Sequence, residues 1–136
     1  MIVVDTGPLY AAADVRDAHH AACVAQFENA TEPLVIPVSV LIETSFLIER
    51  NLGPHAEAAF LSSLAAPEIR VEHLEDRDIT RMAELVAQYA DLPLGSVDAS
   101  VVAIAERLGV TTVMTIDRRH FTVVRPRHVD AFTLLP

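Results

Sequence analysis

Apolar positions along this chain recur with two different periods. Short runs rich in β-branched residues, Ile2-Val3-Val4, Leu34-Val35-Ile36 and Val110 to Ile116, predict buried strands. Ile69 to Leu74, with Ile69, Val71 and His73 alternating, predicts a further strand, and Phe132-Thr133-Leu134-Leu135 the last. Between them the period lengthens to that of a helix. Pro8 to Asp14 is one such stretch, and Asp17 is placed to cap a second running through His20, Val24 and Phe27 to about Ala30. Ser39 is placed to cap a helix carrying Leu41, Ile42, Phe46, Leu47 and Leu52, stopped by Gly53-Pro54. Residues 55–65 are alanine- and leucine-rich and end before Pro67, while Asp76 to Ala90 gathers Ile79, Met82, Leu85, Val86 and Tyr89 on one side. Ser96 is expected to cap a helix that reaches Leu108 and ends at Gly109. Strands alternating with helices predict an α/β fold, three layers α/β/α around a central, mainly parallel sheet. Without repeats or linkers, residues 1–136 are expected to form a single domain.

Four carboxylates break these apolar segments. Asp5 ends Ile2-Val3-Val4, and Asp117 ends Val113-Met114-Thr115-Ile116. Glu43 follows Val38-Ser39-Val40-Leu41-Ile42, and Asp98 opens Ala99-Ser100-Val101-Val102-Ala103-Ile104-Ala105. Carboxylates are rarely buried unless paired or bound to a cation. Open parallel sheets bind ligands beyond the carboxyl ends of their strands, where Asp5 and Asp117 stand. Glu43 shares a helical face with Val40 and Leu47, and Asp98 with Val101 and Val102, so all four are expected to meet at one edge of the sheet. Gathered there they would repel, and a hard divalent cation is the natural remedy, an arrangement suited to metal-assisted phosphodiester hydrolysis. Taken singly, each has a plainer reading as a cap or a satisfied polar residue, Asp98 beside its helix start most of all.

Composition narrows the classes without choosing among them. A 51% hydrophobic and 21% charged chain is globular, not disordered. The lone cysteine, Cys23, cannot form an internal disulfide and reads as a small core residue, consistent with a reducing, cytoplasmic setting. Ala11-Ala12-Ala13 superficially resembles a signal-peptide cleavage region, but a basic leading segment is lacking and Asp5 interrupts the apolar run; no stretch is long enough to span a bilayer. The net charge of −9 argues against a nucleic-acid partner until its distribution is considered. Residues 1–106 hold five arginines against seventeen acids, whereas residues 107–136 hold five arginines against two. Arg118, Arg119, Arg125 and Arg127 lie in that basic end, which is either a phosphate-contacting surface or an ordinary solvated face. None of the six histidines has zinc or hydrolase-triad spacing. His19 and His20 read as helix surface, and His120 as packed or solvated in preference to touching RNA.

In order and spacing, Ile2 to Thr6, Ile36 to Glu43, Leu94 to Ala105 and Thr115 to Phe121 resemble the PIN-domain family, in particular the ribonuclease toxins of VapBC-type toxin–antitoxin pairs. The resemblance covers essentially the whole chain. It implies an endoribonuclease dependent on Mg²⁺ or Mn²⁺, with Asp5, Glu43, Asp98 and Asp117 as catalytic carboxylates. Asp5 and Asp98 would be metal ligands, Glu43 would complete the cluster directly or through a water, and Asp117 matches the family's most variable position. Thr6 and Thr115 are candidates to hydrogen-bond a carboxylate or water, or to serve a local turn.

The resemblance further implies an RNA substrate, a cognate antitoxin, self-association as a homodimer and a toxin–antitoxin hetero-oligomer. Surplus apolar residues between 38 and 65, among them Leu41, Phe46, Leu47, Ile48, Phe60 and Leu61, are expected to supply an interface or groove as well as core. Two rival readings exist. A haloacid-dehalogenase-like phosphatase or receiver domain also carries strand-end aspartates, but both normally need a lysine, and this chain has none; the phosphatase would also need an acid where Gly7 stands. A catalytically silent PIN-like scaffold is the other, and retention of all four acids argues against it.

Overall fold

The computed structural model describes residues 1–136. Strand β1 (Ile2–Val4) leads through Asp5 into α1 (Thr6–Ala13), followed by α2 (His20–Glu28), β2 (Leu34–Pro37), α3 (Val38–Leu52), α4 (Pro54–Ser63) and β3 (Ile69–Glu72). The chain continues with α5 (Asp76–Gln88), α6 (Ser96–Leu108), β4 (Thr112–Met114), α7 (Arg118–Val123) and β5 (Thr133–Leu135). The five strands form one sheet in the order β3-β2-β1-β4-β5, and every neighbouring pair is parallel. Every residue of β1 and β2 is buried, as expected of strands covered by helices on both faces. Strand order reverses between β1 and β4, so the crevice at their carboxyl ends is the topological switch point of the sheet. No helix is long and apolar enough to cross a membrane.

Local chemistry explains most boundaries. Gly109, at φ 67°, ends α6 with Val110 N–H donating to Ala105 O (2.9 Å) and Gly109 N–H to Glu106 O (3.2 Å), the paired bonds of a Schellman stop. Helix α5 begins with a reciprocal capping box between Glu75 and Asp78. Three expected caps are absent. Pro37 and Gly95 occupy the positions before α3 and α6, which leaves Ser39 and Ser96 inside their first turns. Asp17 instead accepts from His19 N–H in a turn ahead of α2 (2.8 Å). The β4 strand is shorter than the run Val110 to Ile116, because Val110 belongs to the helix stop and the chain beyond Thr115 bends toward α7. On α5, Leu85 is fully buried and Met82 and Tyr89 pack on the core, but Ile79 and Val86 face solvent, so only a narrow stripe is covered.

The core holds 23 buried apolar residues, centred on β1, β2, β4 and the nearly all-buried stretch Ala99 to Ala105 of α6. Cys23 is buried, as expected. A second stabilising element is ionic. Arg107, at the end of α6, donates through Nε to both carboxylate oxygens of Asp78 (3.0 Å each) and through Nη1 to Glu72 Oε1 (3.0 Å), so one guanidinium joins α6, α5 and β3. Arg81 likewise grips Glu106 at 2.8 and 2.9 Å. The Arg107 and Asp78 side chains are 7% and 2% exposed, so removing one partner strands the other in a dry environment. Arg107→Ala should destabilise the fold by about 3 kcal/mol or more, and Arg107→Met with Asp78→Leu should recover only the part due to a stranded Asp78, because Glu72 loses the same guanidinium and the Glu75–Asp78 capping box is broken. Urea unfolding of the parent, single and double variants measures both; a single variant within about 0.5 kcal/mol of the parent would show the pair to be energetically neutral.

Candidate active site

Register brings the first two site residues together. Val3 and Val4 of β1 stand beside Val113 and Met114 of β4, so Asp5 and Thr115 occupy the next matched pair. Neighbours in parallel register point to the same face of a sheet. Accordingly the Thr115 hydroxyl donates to Asp5 Oδ2 at 2.9 Å, while Thr115 Oγ1 accepts from Asp117 N–H at 3.0 Å. Thr115 therefore serves both expected roles, binding a carboxylate and shaping the turn. Thr6 is also buried, but its hydroxyl has no partner.

Asp5 is buried at the end of β1. Glu43 and Asp98 reach the same region from α3 and from the first turn of α6. Glu43, Asp98 and Asp117, with Gly95, Ser96 and Val97, line a polar cavity of about 400 Å³. Asp98 makes no capping bond to its helix, whereas Asp117 does cap α7, accepting from His120 N–H at 3.3 Å. The plainer reading thus holds in part for both: Asp117 caps α7, and Asp98 stands in the first turn of α6 without capping it.

The carboxylates act on one another electrostatically, with Asp98 coupled to the other three. Burial first, and the Asp98 charge second, push the Asp5 carboxyl up to about 6; Glu43 adds to the rise, and hydrogen bonds from Thr6 N–H and Thr115 oppose it. Asp98 is likewise raised, chiefly by burial and further by Asp117 and Glu43, against the hydrogen bond and charge of His120.

His120 is the residue the sequence reading misplaced. It neither packs in the core nor projects into solvent: its Nδ1 lies 2.8 Å from Asp98 Oδ2 and 2.9 Å from Asp117 Oδ2. Asp98, Asp117 and His120 offer ligand atoms all within 4.8 Å of one another. The available signal was Asp117 as a helix cap three residues before His120, which requires recognising the six-residue helix α7. The donor set of carboxylate oxygens and one imidazole, with acids whose protons are held above their ordinary range, fits a hard divalent cation.

Close backbone approach is also built in. A Cβ on Gly7 would come 2.5 Å from Ile116 Cγ1, so a side chain at residue 7 would have to displace that of Ile116, the residue before Asp117.

The sign of the Asp5 shift gives a stability prediction. Its folded pKa lies above the ordinary value of 3.8, so ionised Asp5 destabilises the metal-free fold above pH 6, and the penalty fades as pH falls toward 4. Metal-free protein should therefore gain stability between pH 7 and pH 5. Asp5→Asn should flatten that gain and raise stability at pH 7 by roughly 1–3 kcal/mol. Urea midpoints at both pH values in chelator decide this; parallel pH slopes for parent and variant would remove Asp5 from the repulsive cluster.

Comparison with known proteins agrees with this geometry. The PIN-domain family model matches residues 2–125. The chain is 32% identical to the ribonuclease VapC26 of Mycobacterium tuberculosis over 135 residues, 99% of this chain and 100% of that protein. The crystal structure of Mycobacterium tuberculosis VapC20, a toxin that cleaves the sarcin–ricin loop, matches with a TM-score of 0.78 and 23% identity, covering 83% of this chain and 87% of that one. FitAcB from Neisseria gonorrhoeae matches with a TM-score of 0.68 and 14% identity over 100% and 97% of the respective chains. These two structures bear on the fold alone, whereas the family model and the full-length identity establish ancestry: this chain belongs to the PIN-domain family, in its VapC-type branch.

Proposed function

We propose that this chain is a metal-dependent endoribonuclease acting as the toxin of a toxin–antitoxin pair. The observation that carries this reading is the convergence of Asp5, Glu43, Asp98 and Asp117 at the switch point of a chain related along its full length to a ribonuclease. Asp5 and Asp98 are assigned as metal ligands, with Glu43 and Asp117 completing the acidic cluster and His120 steering the carboxylates of Asp98 and Asp117. Bound there, Mg²⁺ or Mn²⁺ would supply positive charge to a scissile phosphodiester and acidify a water. Thr115 keeps Asp5 in one orientation, and the Thr6 N–H and Thr115 hydroxyl help hold it ionised.

RNA would approach along α7. Arg118, Arg119 and Arg125 are exposed, and the guanidinium groups of Arg119 and Arg125 donate to the backbone carbonyls of Leu92 and Thr122, so those two charges are not neutralised by a carboxylate. Arg127 is different: it pairs with Glu84 at 2.7 Å and drops out of the expected basic surface.

The expected groove takes one wall from the stretch 38–65, where α4 contributes Ala56, Ala59, Phe60 and Ser63 together with its C-cap Leu64. Ile48 is fully buried, and of the six residues named between 38 and 65 only Phe60 lines the main apolar groove. That groove, about 740 Å³, runs between α1, α2, α4 and the β2–β3 side of the sheet, with Leu9, Phe27, Ile36, Phe60 and Leu64 in its wall and Glu28, Glu32 and Glu68 among its polar residues. An antitoxin segment with an apolar face and flanking basic residues would complement it. Exposed Ile42, Phe46 and Leu61 on α3 and α4 form the candidate homodimer face.

Purified protein should cleave RNA in Mn²⁺ or Mg²⁺ and stop in chelator, and Asp98→Asn should lose at least about a hundredfold in rate while remaining folded. Cleavage undiminished by chelator or by Asp98→Asn would exclude this site. Arg118→Ala with Arg119→Ala should weaken RNA binding and lower the slope of log affinity against log salt by up to about two phosphate contacts. An unchanged slope identifies α7 as a merely solvated surface. Co-expression with the adjacent small reading frame should suppress cleavage, and failure to do so would remove the toxin assignment while leaving the nuclease.

A further inference from the structure

Two serines behind the acidic cavity are joined in a way the reaction has not yet used. Ser39 Oγ on α3 and Ser100 Oγ on α6 lie 2.5 Å apart, linking helices whose first turns are about sixty residues apart in sequence. Ser100, wholly buried, donates its proton to the carbonyl of Val97 at 2.6 Å. The proton between the two hydroxyls therefore comes from Ser39. The Val97 carbonyl belongs to the peptide unit whose nitrogen is that of Asp98. On the other side, Ser39 stands four residues before Glu43, on the same face of α3. Two hydrogen bonds thus run continuously from the Glu43 face of α3 to the peptide plane that carries Asp98.

We propose that Ser39 and Ser100 form a clasp that fixes the separation of Glu43 and Asp98, and so are positioning residues for the metal site; this rests on the metal-dependent reading above. The two carboxylates line one polar cavity of about 400 Å³, and like charges so placed repel. Without a cation, that repulsion drives the first turns of α3 and α6 apart. Apolar neighbours such as Val40 and Val101 hold helices together but resist sliding weakly, because dispersion is not directional. A short hydroxyl pair is directional and has one favourable geometry. It also needs no charge of its own, so it does not compete with the cation for the carboxylates.

Ser39→Ala removes the donor yet leaves Ser100 bonded to Val97, so no buried polar group is orphaned and the fold should survive. The full chain is titrated with Mn²⁺ alone by calorimetry, and the metal-free forms are unfolded in urea. Ser39→Ala should weaken Mn²⁺ binding about fivefold, the equivalent of one lost hydrogen bond, with little change in metal-free stability. Ser39→Thr should restore parental affinity, and Ser39→Ala with Ser100→Ala should bind no more weakly than Ser39→Ala by itself, because the bond from Ser100 to Val97 lies within α6 and spans no helices once Ser39 has lost its hydroxyl. Parental affinity in Ser39→Ala, failure of Ser39→Thr to restore binding, or a loss of affinity matched by lost metal-free stability would each overturn the clasp. A parent that takes up no Mn²⁺ overturns the metal reading and the clasp with it, whereas parental binding with an unaffected variant overturns the clasp alone.

Discussion

Mutual repulsion among carboxylates that the fold forces together is the constraint on which the rest of this molecule depends. Asp5 cannot withdraw, because it continues a buried strand whose register against β4 is set by Val3 and Val4. Asp98 cannot withdraw, because the helix behind it is almost entirely core from Ala99 to Ala105. Each is anchored by apolar burial, and the electrostatic cost is borne by the domain as a whole. Small polar groups soften it locally: the Thr115 hydroxyl and Thr6 N–H on Asp5, and the His120 ring between Asp98 and Asp117. A site of this kind is strained toward a cation before any cation arrives, which is how a binding centre acquires affinity from folding energy.

The remote ion pairs belong to the same balance. Arg107 and Arg81 lie toward the opposite end of α6 from Asp98, tying that helix to α5 and β3. They also change the meaning of the net charge. Glu72, Asp78, Glu84 and Glu106 count toward the acidic first part of the chain, yet each is matched by an arginine in space. The overall acidity therefore describes the molecule's far field poorly near α7, where the exposed Arg119 and Arg125 meet only carbonyl oxygens.

Much of the fold was legible because its signals are local. Parallel strands covered on both faces are written as unbroken apolar runs, so β1, β2 and β4 were visible, and an acid closing such a run was conspicuous. Convergence of the four acids followed from the placement rule for parallel sheets. What sequence could not supply depends on geometry across the chain. Ser39 has the composition of a cap, but Pro37 takes that position and the hydroxyl turns to Ser100, a partner no local pattern names. His120 was obscured because a six-residue helix lies below the length at which periodicity is readable. The Arg107 network joins residues about thirty positions apart, and counting charges cannot show such pairing. Only one wall of the apolar groove was legible, that of α4 within residues 38–65, because the other walls come from α1, α2 and the β2–β3 side of the sheet, which are distant in sequence.

The bare α-carbon of Gly7 carries a consequence for how such a site can change over generations. The Ile116 side chain occupies the space where one would begin, whereas Gly95, which lines the polar cavity, has nothing within 4 Å of that point. Two glycines close to the acidic cluster therefore live under different rules. Drift at position 95 can enlarge or decorate the rim of the cleft, altering what fits there without disturbing the acids beneath. A side chain at position 7 would first have to displace that of Ile116, the neighbour of Asp117, so change there reaches toward the acids while the rim at position 95 is free to vary.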